Sequence, residues 1–177
     1  MMNHLNILDW AFITVFALCI GSFLNVVIHR LPVRLLMGDD LIETCPTPDI
    51  VKTPSHCPQC RERIRWHDNL PLIGWLLCKG RCRDCRYPIS RRYPLIEGLS
   101  AFCAVVAIHR FGFNPAGLSA ALLGFWLLAL SAIDIDTRLL PDSLTLSGLW
   151  LGLLIATQGV HIEATEAIIG AACGYAA

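Results

Sequence analysis

The sequence predicts an all-α polytopic membrane protein carrying a small zinc-ribbon-like insert, and three observations predict it. Hydrophobic residues fill 55% of the 177 positions and charged residues only 16%, with a mean hydropathy of +0.56, too apolar for a soluble domain of this size. Net formal charge is zero, yet 12 of the 14 Lys and Arg fall between positions 30 and 92, which leaves long uncharged runs on either side. Inside that basic stretch lie two Cys-x-x-Cys pairs. The asymmetry of the positive charge carries more information than its total, because Lys and Arg collect on the side of a membrane that is not translocated. No internal repeat, low-complexity tract or Gly-rich phosphate loop is evident.

Residues 1–29 hold the first membrane helix. Positions 10–28 carry no charge and are interrupted only by Thr14, Ser22 and Asn25, and His29-Arg30-Leu31-Pro32 is expected to end the helix. A cleaved signal peptide would have a basic head and a shorter apolar core, whereas this head carries Asp9 and neither Lys nor Arg, so the segment is an anchor. Basic residues crowd its far side, which puts the N-terminus outside and the next loop in the cytoplasm. Asn25 should face protein rather than lipid, and Gly21-Ser22 should let another helix approach closely.

Residues 30–93 form the insert, with turn signals at Met37-Gly38-Asp39-Asp40 and Pro46-Thr47-Pro48. Its signature is Cys57-Pro58-Gln59-Cys60, then 21 residues, then Cys82-Arg83-Asp84-Cys85. Two such pairs at this separation supply the four thiolates of a tetrahedral zinc site, two sulfurs from each knuckle. Disulfides or redox motifs are the alternatives, but a cytoplasmic loop keeps its thiols reduced. With Cys57, Cys60, Cys82 and Cys85 all bound, no position is open for water, so the metal is structural. The other five cysteines, Cys19, Cys45, Cys78, Cys103 and Cys173, are scattered and read as packing residues. The apolar run at 69–77 is too short to span a bilayer. It either rests on the membrane surface or packs beneath the ribbon, and Trp75 near Lys79 and Arg81 favours the surface.

Residues 94–177 continue the helical bundle. A second helix over 94–108 brings Glu97 in near its inner end, expected to pair with Arg91 or Arg92, with a role in the active site also open. An outer turn at 109–115 leads to a third helix over 116–133, uncharged throughout, which delivers Asp134 to the same side as the insert. Asp134, Asp136 and Asp142 lie within nine residues there. For Asp136, Arg138 and Asp142, marking the point where a helix leaves lipid and taking part in the site are both open readings. Asp134 is the first polar group at the helix end, where partial desolvation raises a carboxylate pKa and a second carboxylate can share its proton to activate water. A fourth helix over 144–156 and a fifth from 164 follow. The chain then stops inside an apolar segment, as a truncated one would.

Gly21-Ser22-Phe23-Leu24-Asn25-Val26-Val27-Ile28-His29-Arg30-Leu31-Pro32, the paired knuckles, Arg92-Tyr93-Pro94 with Glu97, and Asp134 seven residues before Pro141-Asp142 together resemble bacterial prepilin peptidase, over essentially the whole chain. The resemblance implies a bacterial inner-membrane aspartic endopeptidase. Such an enzyme cuts the basic leader from type IV prepilins and type II secretion pseudopilins on the cytoplasmic side, and the form with cysteines in its first loop also methylates the new N-terminus. It implies S-adenosylmethionine as methyl donor, with no residues of this chain identified for it, and Asp134 as the first catalytic aspartate, with Asp136 not used. The second aspartate of the family belongs to a Gly-x-Gly-Asp motif, which does not occur in these 177 residues. One carboxylate cannot both protonate the substrate and deprotonate water, so this stretch alone is expected to be inactive. The competing reading is a non-catalytic zinc-ribbon membrane adaptor. A nucleic-acid partner is set aside, because the basic loop is accounted for by topology.

Overall fold

The computed structural model describes residues 5–42 and 54–176. Six α-helices occur there, α1 (Ile7–Ile42), α2 (Ile73–Leu77), α3 (Arg92–Phe111), α4 (Pro115–Thr137), α5 (Asp142–Ala156) and α6 (Ala164–Ala176), with a 3-10 turn at Trp66–Asn69. No strand forms among the described residues, only two isolated antiparallel bridges. By length and composition α1, α3 and α4 can each cross a membrane, while the 15 residues of α5 rise about 22 Å, short of a hydrocarbon core of about 30 Å.

The first helix runs further than expected. It passes through Pro32 and continues to Ile42, so the turn expected at Met37–Asp40 is helical. Proline removes one N–H and strains the preceding turn. Here it is followed by Arg34-Leu35-Leu36-Met37, a run of strong helix formers that carries the helix on. The turn expected at Pro46–Pro48 lies outside the described residues.

The core is the α1–α3–α4 bundle, built on small residues. Ala17, Ala101, Ala104, Ala107 and Ala121 are buried with Ile13, Ile108 and Phe125 in one cluster, and Ala129, Ala132 and Ile133 with Ile28 and Ile96 in a second. Helices surrounded by lipid associate through close packing rather than by escaping water, which is what alanine and glycine permit. At the α1–α3 crossing a Cβ on Gly21 would lie 2.1 Å from the Ser100 Oγ and 2.7 Å from the Glu97 Cα, so only glycine fits. Ser100, fully buried, donates to the carbonyls of Ala17 and Glu97, at 2.8 and 2.7 Å. Asn25 faces protein as expected, donating from Nδ2 to the Tyr93 carbonyl at 3.1 Å.

The ends of α4 are set by its own residues. Asn114 caps the start, its Oδ1 accepting from the N–H groups of Ala116 and Gly117 at 2.9 and 3.1 Å, and Pro115 occupies the first turn. Arg138, at φ +53°, ends the helix with its N–H on the Asp134 carbonyl at 2.8 Å. Asp134 therefore sits in the last turn, and Asp142 opens α5 after a short link.

Candidate functional site

The four cysteines converge. Sγ of Cys57 lies 3.7 Å from that of Cys85, Sγ of Cys60 lies 4.0 Å from that of Cys82, and all four sulfurs lie within 4.8 Å of one another. A zinc ion about 2.3 Å from each of four tetrahedral sulfurs would hold them about 3.8 Å apart, so the set fits one such ion. The sulfurs also show why a cation belongs there. The Cys60 backbone N–H holds the Cys57 thiol down at about 7. For Cys60 the Glu62 N–H also favours the thiolate, but desolvation and the three neighbouring sulfurs outweigh it and push the thiol up to about 12. Four thiolates cannot coexist in this space without positive charge between them.

Each knuckle is made the same way. Cys57 donates its N–H to the Glu62 carbonyl and accepts at its own carbonyl from the Arg61 N–H, while Ile64 donates to the Ser55 carbonyl, all at 2.9 Å. The second knuckle repeats this with Cys82 to Tyr87 at 2.8 Å, Arg86 to Cys82 at 3.1 Å and Ile89 to Gly80 at 2.8 Å. Arg61 and Arg86 take matching left-handed conformations, φ +58° and +62°. The insert thus contains an internal repeat, Cys-x-x-Cys-Arg-x-x-Ile, contrary to expectation. The cysteine spacing alone masked it, because the shared Arg and Ile were not aligned with it.

Two charge pairs brace the first half of the insert against the second. Asp68, its side chain nearly buried, receives the Arg83 Nε at 2.9 Å and Nη2 at 2.5 Å, and Arg65 lies 3.9 Å from Asp84. The bond from Arg83 holds the Asp68 carboxyl below the usual carboxylate range. A depressed folded-state pKa means this brace contributes at neutral pH and is lost only as the pH falls below about 4. Trp75 packs onto the ribbon. Its Nε1 donates to the Ile89 carbonyl at 3.3 Å, and a Cβ on Gly80 would lie 2.8 Å from its ring.

At the bundle end that carries the insert, the carboxylates separate by environment. Asp136 is ion-paired with Arg92, whose Nη2 also donates to the Ala132 carbonyl at 2.7 Å. A cation against the last two turns of α4 suits the negative end of that helix and steadies the 132–136 stretch that holds Asp134. Contrary to the partial desolvation expected at the helix end, Asp134 is exposed, and among the described residues no cation pairs with it. Nor do the described residues offer it a second carboxylate as a hydrogen-bonding partner. Glu97 does not pair with Arg91 or Arg92. It is buried and accepts the Leu72 N–H at 2.8 Å, because Arg92 is already drawn across to α4. Sequence reasoning missed both the Arg92 cap and the Asp68–Arg83 brace; they join residues 40 and 15 positions apart, and no local pattern announces them.

Residues 15–111 match the Bacterial Peptidase A24 N-terminal domain and residues 121–177 the Type IV leader peptidase family. Similar relatives include the prepilin leader peptidase/N-methyltransferases of Xanthomonas campestris (43% identical, covering 89% of this chain and 58% of the relative), Klebsiella pneumoniae (42%, 93% and 69%) and Aeromonas hydrophila (42%, 95% and 62%). The chain thus spans roughly three fifths of the length of several curated relatives that it matches. No solved structure matches it. Both halves of the chain match in the order the family has them, at this identity and over nearly all of the chain's length, and the chain therefore belongs to the bacterial prepilin leader peptidase/N-methyltransferase family.

Proposed function

We propose that this chain carries the first half of the catalytic dyad of a membrane aspartic endopeptidase that removes the leader from type IV prepilins or type II secretion pseudopilins and then methylates the new N-terminus. The observation that supports it best is the contrast at the end of α4. Asp136 is held by Arg92 while Asp134, one turn from the helix end, is left exposed and unpaired by cations among the described residues. A carboxylate so placed can take a proton from water once a second carboxylate faces it, and the partner can protonate the departing amine. On this reading the second carboxylate is the aspartate of the family's Gly-x-Gly-Asp motif, which does not occur in these 177 residues.

The chain divides, on this reading, into a first membrane segment (1–29), beyond which α1 runs on to Ile42, a four-cysteine zinc-binding unit (30–93) and a helical bundle (94–177). Zinc is the ion for the closed set of Cys57, Cys60, Cys82 and Cys85, and it holds the loop without touching substrate. Methyl transfer needs a donor such as S-adenosylmethionine; the sequence carries no Gly-rich nucleotide loop, and no residue is assigned to the donor. The positive charge between residues 30 and 92 supports a zinc unit in the cytoplasm and an N-terminus outside the bacterial inner membrane.

Two experiments test this reading. A periplasm-active reporter fused near Ser55 should be silent and one fused within 110–115 active; the reverse pattern would overturn the topology. A prepilin co-expressed with the protein from its full reading frame should appear by mass spectrometry as a leaderless, N-methylated pilin. A prepilin left at full length would favour the adaptor reading instead.

A further inference from the structure

The apolar run between the knuckles is tied to the bundle at its start. Leu72, in the turn before α2, donates its N–H at 2.8 Å to Glu97, which lies in the second turn of α3 and is 7% exposed. A carboxylate in a membrane helix is costly unless donors meet it, and this backbone group is one of them. Leu72 adopts φ +57°, a conformation non-glycine residues avoid and one that persists where its surroundings hold it. From that fixed point α2 turns Gly74 and Trp75 onto the ribbon, where a Cβ on Gly74 would lie 2.0 Å from the Asp68 carbonyl oxygen. The opposite side is left bare, with Ile73 54%, Leu76 64% and Leu77 64% exposed. Their spacing puts all three on one face of the helix. Lys79 and Arg81 follow directly, both exposed, and Arg91 stands just before α3.

We propose that this face of α2 docks into the lipid leaflet on the side of the zinc unit, and that Glu97 is the positioning residue that sets its depth through Leu72. Phospholipid is the occupant the geometry favours. α2 begins at the level of a residue inside a membrane span, its bare residues are aliphatic, and the cations beside it suit anionic headgroup phosphates. The proposal rests on α3 spanning the membrane and is independent of the peptidase reading.

The test places photoreactive p-benzoylphenylalanine at Leu77 in the full protein, reconstituted in nanodiscs of mixed phosphatidylglycerol and phosphatidylethanolamine. Mass spectrometry should find acyl-chain adducts. A cross-link to a second copy or to another protein segment, or no adduct at all, would overturn the docking. In the Glu97→Ala background the lipid adduct should fall at least about 5-fold while metal content stays at one ion per chain; Glu97→Gln, whose amide oxygen still accepts the Leu72 N–H, should restore it. An unchanged yield in Glu97→Ala, or an equal loss in Glu97→Gln, would overturn the positioning role. Should Glu97→Ala not fold, the Gln variant and the parent cross-link still decide.

Discussion

Expressed from its full reading frame, the Asp134→Asn protein should leave a prepilin uncut in membranes, with the cleavage rate down by about 10³-fold or more, because a lost member of an acid–base pair removes the chemistry. The fold should be unaffected. Asp134 is exposed and the backbone carbonyl that receives the Arg138 N–H is untouched by the change. Asp136→Asn should keep most of the activity, since Arg92 retains its bond to the Ala132 carbonyl and still steadies the stretch that holds Asp134. Gel-shift processing of a prepilin by each variant separates the two. Undiminished cleavage by Asp134→Asn would sink the assignment, and cleavage by the 177 residues alone would mean that the dyad is made differently.

The second large effect is expected at the metal. Purified without chelator, the protein should hold one zinc per chain, and Cys82→Ser should hold almost none. Structural zinc contributes on the order of 10 kcal/mol to folding a small site, far more than the Asp68–Arg83 brace can offset. The variant should become sensitive to protease between residues 46 and 90, while α1, α3 and α4, whose buried clusters contain none of the four zinc-site cysteines, stay packed. Elemental analysis and limited proteolysis read both. A parent protein with no zinc would remove the metal from the account.

Much of the architecture was legible because its causes are local. The uncharged run before Asp134 and the paired knuckles needed only composition and spacing. Gly21 and Asn25 were placed on the protein-facing side of α1 because a close helix crossing needs the first and lipid disfavours the amide of the second. What was not legible depends on which chain segments meet. Pro32 was read as a stop, but the helix formers after it carried α1 to Ile42. Glu97 was given to the nearest arginines in sequence, whereas Arg92 had a better partner across the bundle and Glu97 a backbone donor from the insert. The same limit hid the setting of Asp134: its position at a helix end was plain, but the cation that steadies that end comes from another helix.

The placement of the insert has a consequence for biosynthesis. α1 packs on α3, yet all four zinc-site cysteines lie between them in sequence, and Cys85 leaves the ribosome before Arg92 does. The nascent chain can therefore load its ion while a single helix stands in the membrane, and Glu97 meets a Leu72 turn that is already shaped. Metal starvation during synthesis should then act before helix pairing: chains made without zinc would enter the bilayer as a lone anchor trailing an open loop, and metal supplied afterwards would have to close that loop against a bundle already assembled.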